Sequence, residues 1–338
     1  MIIILIILSA GCSMAGILGD EGLRPLIQRT IAMRFEHRYA EADSILRELR
    51  DEYPDDPAPL FLRGSNLHDD MMNREDYRRF DEMTAIFDSA ISMAKRGNPD
   101  AWNYWIIGSS LGYKAIALAE LGRYLAAFKT SAEAVGYLER AFKTPETRAD
   151  AALGIGGYHY WKSAKLGLLT YLPFVPDHRR EGIEYLRLAR TESLYSRDAA
   201  IHALVYVFCE EEMVDSAEAL RDTIRMKYPG SLLPLWYDLL IAGKKRDLEN
   251  YFYAADELSC ALDTLGDEQI INRVETHLLA ATAASELEDW DFVCVHCTAV
   301  LEEHFPPWVI KNNRSRINEL KELAITAAEK GAACPKFP

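Results

Sequence analysis

The chain has 338 residues, of which 49% are hydrophobic and 27% are charged. This composition is that of a folded globular protein, and the length allows one long repeat domain or two compact domains. The formal net charge is −14, from 52 acidic and 38 basic residues. A negative surface repels phosphates, so the composition argues against nucleic-acid binding and against a broad basic patch for anionic lipid head groups.

The first residues differ from the rest of the chain. Residues 1–8 are all apolar, with the sequence MIIILIIL, and the small residues Ser9, Ala10 and Gly11 precede Cys12. A helix needs about 20 apolar residues to span a bilayer, so this run is too short to do so. A short apolar run that ends in small residues is typical of a secretory signal and its cleavage site.

Small residues directly before a cysteine resemble a bacterial lipobox. The resemblance implies cleavage before Cys12 and attachment of a lipid to its sulfur. With Ser13 next in the chain, it also implies an outer-membrane location that faces the periplasm. Ser9 stands where the family usually has Leu, and no Lys or Arg lies near the start, which leaves the true start of the signal sequence open. The alternative is a buried apolar N-terminal helix that contains a cysteine.

Six cysteines occur in the chain: Cys12, Cys209, Cys260, Cys294, Cys297 and Cys334. If the first carries a lipid, five remain, and an odd number does not form a complete disulfide framework in an oxidising compartment. We therefore expect most of them to be small, buried apolar residues.

Beyond the first residues, apolar positions recur at intervals of three and four, as in Ile27, Ile31 and Phe35. This spacing predicts amphipathic helices, and Gly, Pro, Asn and Asp separate them. A last helix near 312–330 would cover the exposed end of the array. The predicted helix pairs lie near 24–53, 58–97, 102–142, 148–192, 197–228, 232–264 and 270–304.

The ends of the second helices carry a recurring pattern. Residues 39–57, 213–229 and 290–306 each contain a small or apolar residue, a helical run, and an aromatic residue followed by proline. In the first two segments the alanine and the proline are twelve positions apart. A recurrence of this kind indicates a repeat architecture.

The pattern resembles the tetratricopeptide repeat of 34 residues. The small residue of the family's second helix corresponds to Ala42, Ala127 and Ala217. Its closing proline corresponds to Pro54 and Pro229, and its glycine and aromatic residue before the second helix correspond to Gly122 and Tyr124. The small residue lets the two helices approach closely, and the proline ends the second helix. The second-helix endings look most like those of outer-membrane assembly lipoproteins and cell-envelope coordinators.

The expected fold is all-α, an α-α solenoid of about six or seven degenerate helix hairpins with a C-terminal capping helix. Residues 1–19 would be the signal and a short linker, 20–310 the repeat domain, and 311–338 the capping helix and tail. The segments that depart from the repeat are a charged stretch at 73–79, an apolar loop at 167–178 and an interruption at 243–247.

Aromatic side chains are the candidates for binding a partner. Trp102 and Trp105 open the third pair and share one helix face, where they could line the concave groove or pack between repeats. A helix of the fourth pair and the loop after it carry Tyr158, Tyr160, Trp161, Tyr171 and Phe174. This group could form a binding patch for a partner or a membrane surface, or the loop could fold back into the groove.

No motif nominates a catalytic centre. Cys294 and Cys297 form C-x-x-C, but no second ligand pair follows at the spacing of a zinc site, and Cys297 falls in the core register of a helix. His68, Asp69 and Asp70 point in different directions on a helix and make a poor cage for a cation. We therefore expect no enzymatic activity, no metal and no cofactor.

The leading interpretation is a non-enzymatic scaffold whose groove binds a partner protein or peptide, exported and anchored in the cell envelope by a lipid on Cys12. The alternative is a small-ligand-binding lipoprotein associated with solute uptake, in which the same aromatics line an enclosed pocket. A third interpretation, a helical-toroid enzyme, would need two acidic side chains that face each other inside such a cavity.

Overall fold

The computed structural model describes residues 16–96, 99–166 and 176–335. Within these residues the regular structure consists of sixteen α-helices and two short 3-10 turns, without a strand. The predicted all-α class and the helical-repeat arrangement are therefore confirmed. Over the same described ranges, no helix is both long and apolar enough to cross a lipid bilayer.

Fourteen helices form seven consecutive pairs, and two more follow at the end. Each predicted pair is present within a few residues of its expected bounds, and the predicted last helix corresponds to α16, which packs on pair seven. The short α15 was not predicted. The pairs are α1 (Arg24–Phe35) with α2 (Tyr39–Glu52), α3 (Ala58–Asn73) with α4 (Phe80–Ala94), α5 (Ala101–Glu120) with α6 (Tyr124–Phe142), α7 (Pro145–Leu166) with α8 (Arg179–Glu192), α9 (Arg197–Glu210) with α10 (Val214–Lys227), α11 (Leu233–Lys245) with α12 (Leu248–Asp263), and α13 (Ile270–Glu286) with α14 (Trp290–Leu301), before α15 (Pro307–Asn312) and α16 (Arg314–Glu329).

In most pairs the first helix buries a larger fraction of its residues than the second. Helix α9 buries eight of its 14 residues and α13 ten of its 17, whereas α8 and α10 each bury three of 14. The first helices therefore form the inner layer and the second helices the outer one. Ala42, Ala127 and Ala217 are buried on the second helices, as expected for the small residue of the repeat.

The turn inside a pair has the same backbone in six of the seven pairs. One residue adopts the left-handed conformation, and the residue after it donates its N–H to the carbonyl five positions earlier, at 2.7–3.1 Å. This bond satisfies a carbonyl at the end of the first helix. The corresponding turn of pair four contains residues outside the described ranges. The left-handed residues are His37, Glu75, Gly122, Glu212, Arg246 and Glu288, with φ between 50° and 70°.

Pair one contacts the second half of the chain through what we name the first closure. Gln28 Nε2 donates to the carbonyl of Leu194 at 3.0 Å, and the ring of Phe35 stacks on Tyr228 with centroids 5.2 Å apart. The N–H of Leu232 donates to His37 Nε2 at 3.0 Å. The turns before α9 and α11 therefore rest on α1 and on the turn that follows it.

Pair two makes a second closure with pair seven and the final helices. The Asn272 side chain donates to the carbonyl of Asn73, and Arg316 lies 3.5 Å from the Glu75 carboxylate and 3.0 Å from that of Glu275. The guanidinium of Arg78 lies 3.9 Å from the ring centre of Trp308. The charged stretch at 73–79, which departs from the repeat, is the segment that makes this closure.

The two closures define how tightly the solenoid winds. Pair one meets the turns on either side of pair five, and pair two meets pair seven. One superhelical turn therefore takes about four or five pairs. The second turn of the superhelix lies directly on the first.

Candidate functional site

Trp102 and Trp105 lie in the core. Their exposed fractions are 4% and 5%, and their rings meet edge to face with centroids 5.7 Å apart. Trp102 also contacts Tyr195, in the turn before α9, at 5.5 Å. The three rings fill the junction between α5 and that turn, so both tryptophans pack between repeats. In this conformation neither side chain presents a surface to a partner.

The aromatic residues of α7 divide between core and surface. Tyr160 is fully buried, and its hydroxyl donates to Glu211 Oε1 at 2.9 Å, while the rings of Tyr160 and Trp161 meet edge to face at 5.1 Å. Tyr158 and Trp161 are half-buried. The remaining predicted residues, Tyr171, Phe174 and the lipid-attachment residue Cys12, lie outside the described ranges.

The concave side of the solenoid carries a polar cluster, which we name the axial cluster: Arg34, Ser65, His68, Asp69 and Tyr113. Arg34 Nε donates to Asp69 Oδ2 at 2.8 Å, and its terminal nitrogens donate to Ser65 Oγ at 3.1 Å and Tyr113 Oη at 3.2 Å. His68 Nδ1 lies 3.0 Å from Asp69 Oδ1. Side chains of α1, α3 and α5 therefore contact one another directly.

The ion pair at the centre of the axial cluster stays charged at neutral pH. Burial acts to raise the pKa of the Asp69 carboxyl, but the charge of Arg34 and the hydrogen bonds from His68 and Arg34 outweigh it and lower that pKa to about 2. A buried pair of this kind is strongly destabilised when one partner is removed. The cluster therefore fixes the arrangement of the first helices.

Helices from the second half of the chain face this cluster. His202 Nδ1 on α9 is hydrogen-bonded to Tyr237 Oη on α11 at 2.7 Å. Burial lowers the pKa of His202, and the negative charge of Asp69 opposes that shift. Ala32 and Phe35 of α1 pack against the apolar cluster that contains residues of α9 and α11, so these inner helices lie against the helix that carries Arg34. The inner side is therefore occupied by the chain's own side chains at this level.

Three exposed apolar side chains, among them the most exposed one of the described residues, Leu125, lie together on the outer layer at the start of α6. Gly122 ends α5 in the left-handed conformation with φ of 70°, and α6 begins two residues later. Tyr124, Leu125 and Phe128 have exposed fractions of 71%, 84% and 54%. We name these three residues the α6 patch. On the preceding helix, Ile116 is also 46% exposed.

The α6 patch has a basic rim. A shallow depression beside it is lined by residues 122–126 and by Lys129. The guanidinium of Arg123 lies 5.5 Å from the ring centre of Phe80. Both Arg123 and Lys129 are exposed, so an apolar strip in this acidic protein is bordered by positive charge.

From the sequence, Tyr124 was predicted only as a repeat position, and Leu125 and Phe128 were not predicted as exposed residues. The signal was present, because α6 carries apolar residues on two faces. Ala127 and Leu138 lie on the buried face, while Leu125 and Phe128, three positions apart, lie on the other. A single amphipathic face predicts only the first group.

Two cysteine expectations have different outcomes. Most cysteines were expected to be small buried residues outside a disulfide framework, but Cys294 forms a disulfide with Cys334, with Cα atoms 5.3 Å apart. This pair joins α14 to the C-terminal tail, a contact that spacing alone does not reveal. Cys297 is fully buried, as predicted, and burial raises the pKa of its thiol to about 12.

No protein-family model and no curated protein matches the chain. Two solved structures of Nro1 are similar to it. One is the S. pombe nuclear import adaptor Nro1, with a TM-score of 0.38 and 14% identity over 83% of this chain and 96% of that chain. The other, described as the hypoxic regulator of sterol synthesis Nro1 and a nuclear import adaptor, has a TM-score of 0.34 and 13% identity over 93% and 96%. At these TM-scores the likeness carries no argument about this chain.

Proposed function

We propose that this protein is a non-enzymatic scaffold that binds a partner protein through the α6 patch. The observation that carries the proposal is the clustering of Tyr124, Leu125 and Phe128, each more than half exposed, within two turns of one helix. Isolated apolar residues are ordinary on protein surfaces, but a group of large ones is characteristic of an interaction site. Aromatic residues are also enriched among those that dominate binding energy.

The rim of the α6 patch indicates the chemistry of the partner. Arg123 and Lys129 flank the apolar strip, so the complementary surface would be apolar at its centre and acidic at its edge. Complementary charge at the rim contributes to the association rate and to partner choice more than to affinity. We therefore expect salt to slow association with the partner more than it speeds dissociation.

Charge substitutions on the outer layer test this proposal. Crosslinked complexes would be captured from membranes with the wild-type chain, with Leu125→Glu and with Phe128→Glu. Each variant should reduce capture of the partner roughly tenfold or more, because a central interface residue contributes about 2 kcal/mol or more. Met226→Glu on α10 is the matched control, since Met226 is an apolar side chain that is 77% exposed on another helix.

The control separates the α6 patch from exposed apolar surface in general. The Met226→Glu variant should capture as much partner as the wild-type chain. Undiminished capture by both α6 variants would contradict the proposal, and so would an equal loss in all three variants.

The second part of the proposal concerns export. We propose that the protein belongs with lipoprotein-type tetratricopeptide proteins and is anchored by a lipid on Cys12 in the outer membrane, facing the periplasm. The support is the apolar run at 1–8 and the small residues that precede the cysteine. A lipid tether would hold the α6 patch near membrane-bound partners and so raise their effective concentration.

Intact mass and membrane partitioning of the native protein test the anchor. The wild-type chain should carry a lipid mass on Cys12 and partition with membranes, whereas Cys12→Ala should do neither. A native protein that is soluble and keeps Met1 would overturn the export proposal and favour a cytosolic adaptor.

A further inference from the structure

Helices α7 and α8 cross more closely than ordinary side chains allow. A Cβ atom added at Gly156 would lie 2.7 Å from the carbonyl oxygen of Gly182, and one added at Gly182 would lie 2.7 Å from the backbone nitrogen of Tyr160. The two glycines therefore let the helix backbones touch. This close crossing brings residues of the second half of α7 against the first turn of α8.

Three metal-ligating side chains meet beside that crossing. His159 lies on α7, one turn after Gly156, while His178 directly precedes α8 and Glu181 lies in its first turn. One ligand atom from each of the three lies within 4.8 Å of the others, and His178 Nδ1 is 2.9 Å from Glu181 Oε2. The set combines two imidazole nitrogens with one carboxylate.

The two histidines are held in place by their surroundings. The His159 ring stacks on Tyr185 with centroids 6.0 Å apart, and its edge faces Tyr158 at 5.8 Å. The backbone N–H of His178 donates to Ser163 Oγ at 2.9 Å, and Ser163 is buried. These contacts restrict the two histidines before any ion arrives, which lowers the entropy cost of binding.

We propose that His159, His178 and Glu181 bind a divalent transition metal, and that Zn²⁺ is the ion that fits the donor set best. Imidazole nitrogens and carboxylate oxygens are common zinc ligands. Mg²⁺ and Ca²⁺ prefer oxygen ligands, so two imidazoles make the site unfavourable for them. Two ligands that are each about 2.1 Å from zinc lie roughly 3.0–3.4 Å apart. The pair at 2.9 Å therefore needs to open by only a few tenths of an ångström.

The proposed site is partly open to solvent. The Glu181 side chain is 49% exposed and that of His178 is 35% exposed. A site with three protein ligands leaves a position for water or for a ligand from another molecule. The site differs from a surface histidine such as His304, which is exposed and belongs to no group of three ligating side chains within the described residues.

Calorimetric titration of the chelator-treated full chain with Zn²⁺ tests this inference, with the spectrum of the Co²⁺-loaded protein as a second readout. The wild-type chain should bind one Zn²⁺. His159→Ala, His178→Ala and Glu181→Gln should each weaken binding by roughly tenfold to 100-fold or more, since even outer-shell groups have effects of that size. Circular dichroism would confirm that these half-exposed substitutions leave the fold intact.

Two control variants test whether Zn²⁺ binds at other side chains of the protein. His304→Ala removes the exposed histidine, and Cys260→Ser removes the exposed free thiol. Both should bind Zn²⁺ as the wild-type chain does, with an unchanged Co²⁺ spectrum. The inference is overturned if either control loses the ion, or if the variants at His159 and His178 keep wild-type affinity. Neither result depends on capture of a partner at the α6 patch.

Discussion

His37 and Glu75 occupy the same place in two successive pairs, and each makes one closure of the superhelix. Both are the left-handed residue of the turn inside their pair, with φ of 59° and 50°. His37 accepts a hydrogen bond from the Leu232 N–H, whereas Glu75 shares Arg316 with Glu275. In pairs five to seven the equivalent residues are exposed. Among the six described turns, therefore, the left-handed residue bridges where a second superhelical turn lies against it.

The two closures differ in chemistry. The first closure is neutral, because it consists of stacked rings and hydrogen bonds to backbone groups. The second contains a pair of carboxylates, two guanidinium groups and an aromatic ring. The carboxylates of Glu75 and Glu275 face each other, and Arg316 contacts both of them. The two carboxylates are therefore part of the contact between helices that forms the second closure. This difference predicts opposite dependences on pH for two closures that share one backbone geometry.

The largest expected effect follows from removing the shared cation. Arg316→Ala leaves Glu75 and Glu275 side by side, so we expect the free energy of unfolding at pH 8 to fall by roughly 2–3 kcal/mol. The loss should be smaller at pH 5, where Glu275 can take up a proton. Urea denaturation at the two pH values measures both numbers. Equal losses at pH 5 and pH 8 would contradict the electrostatic account of the second closure.

Glycine substitutions compare the bridging turns with the exposed ones. Glycine favours the left-handed conformation by about 1 kcal/mol, so Glu288→Gly should be neutral or slightly stabilising. His37→Gly gains the same conformational preference but leaves the Leu232 N–H without its acceptor, which costs about 1–3 kcal/mol. We therefore expect urea denaturation to separate the two variants by about 2 kcal/mol. Equal stabilities would mean that His37 contributes nothing to the first closure.

The first closure should weaken in acid. Burial lowers the pKa of His37 from 6.5 to about 4, so the folded state binds its proton less readily than the unfolded state does. The stability from this residue is complete above pH 6.5 and is lost as the pH falls towards 4. Between pH 6.5 and pH 4, the free energy of unfolding should change less with pH for His37→Gly than for the wild-type chain. The same slope in both proteins would exclude His37 as its source.

The second closure should weaken in the opposite direction. Burial and the charge of Glu75 raise the pKa of Glu275 from 4.5 to about 7. Its contribution is therefore complete below pH 4.5 and is lost as the pH rises to 7. Glu275→Gln should gain about 1 kcal/mol relative to the wild-type chain at pH 8 and little at pH 4.5. A gain that is the same at both pH values would contradict this assignment.

The local elements could be predicted from the sequence because their causes are local. Apolar spacing set the helices, and the buried alanines of the second helices lie where the repeat pattern puts them. The interruption at 243–247 proved to be the turn of pair six, with Arg246 in the left-handed position. The segment looked like an interruption of the repeat because Arg246 occupies a left-handed position at which glycine is the usual residue.

The closures and the α6 patch could not be predicted in the same way. His37 and Leu232 are 195 positions apart, and Asn73 and Asn272 are 199 apart, so no local pattern links them. The inner tryptophans resembled binding residues because periodicity does not say which face of a helix a second superhelical turn covers. For the same reason the exposure of Leu125 was not predicted, because periodicity alone does not show that this residue lies outside the core.

The most direct test of the central claim is site-specific photo-crosslinking on membranes. A photoreactive residue would replace Phe128 in the α6 patch or Tyr206, which lies beside His202 on the inner helix α9 and is 37% exposed. Our account predicts a partner adduct from position 128 and none from position 206. An adduct from position 206 alone would contradict it, because the partner would then bind the inner side of the solenoid.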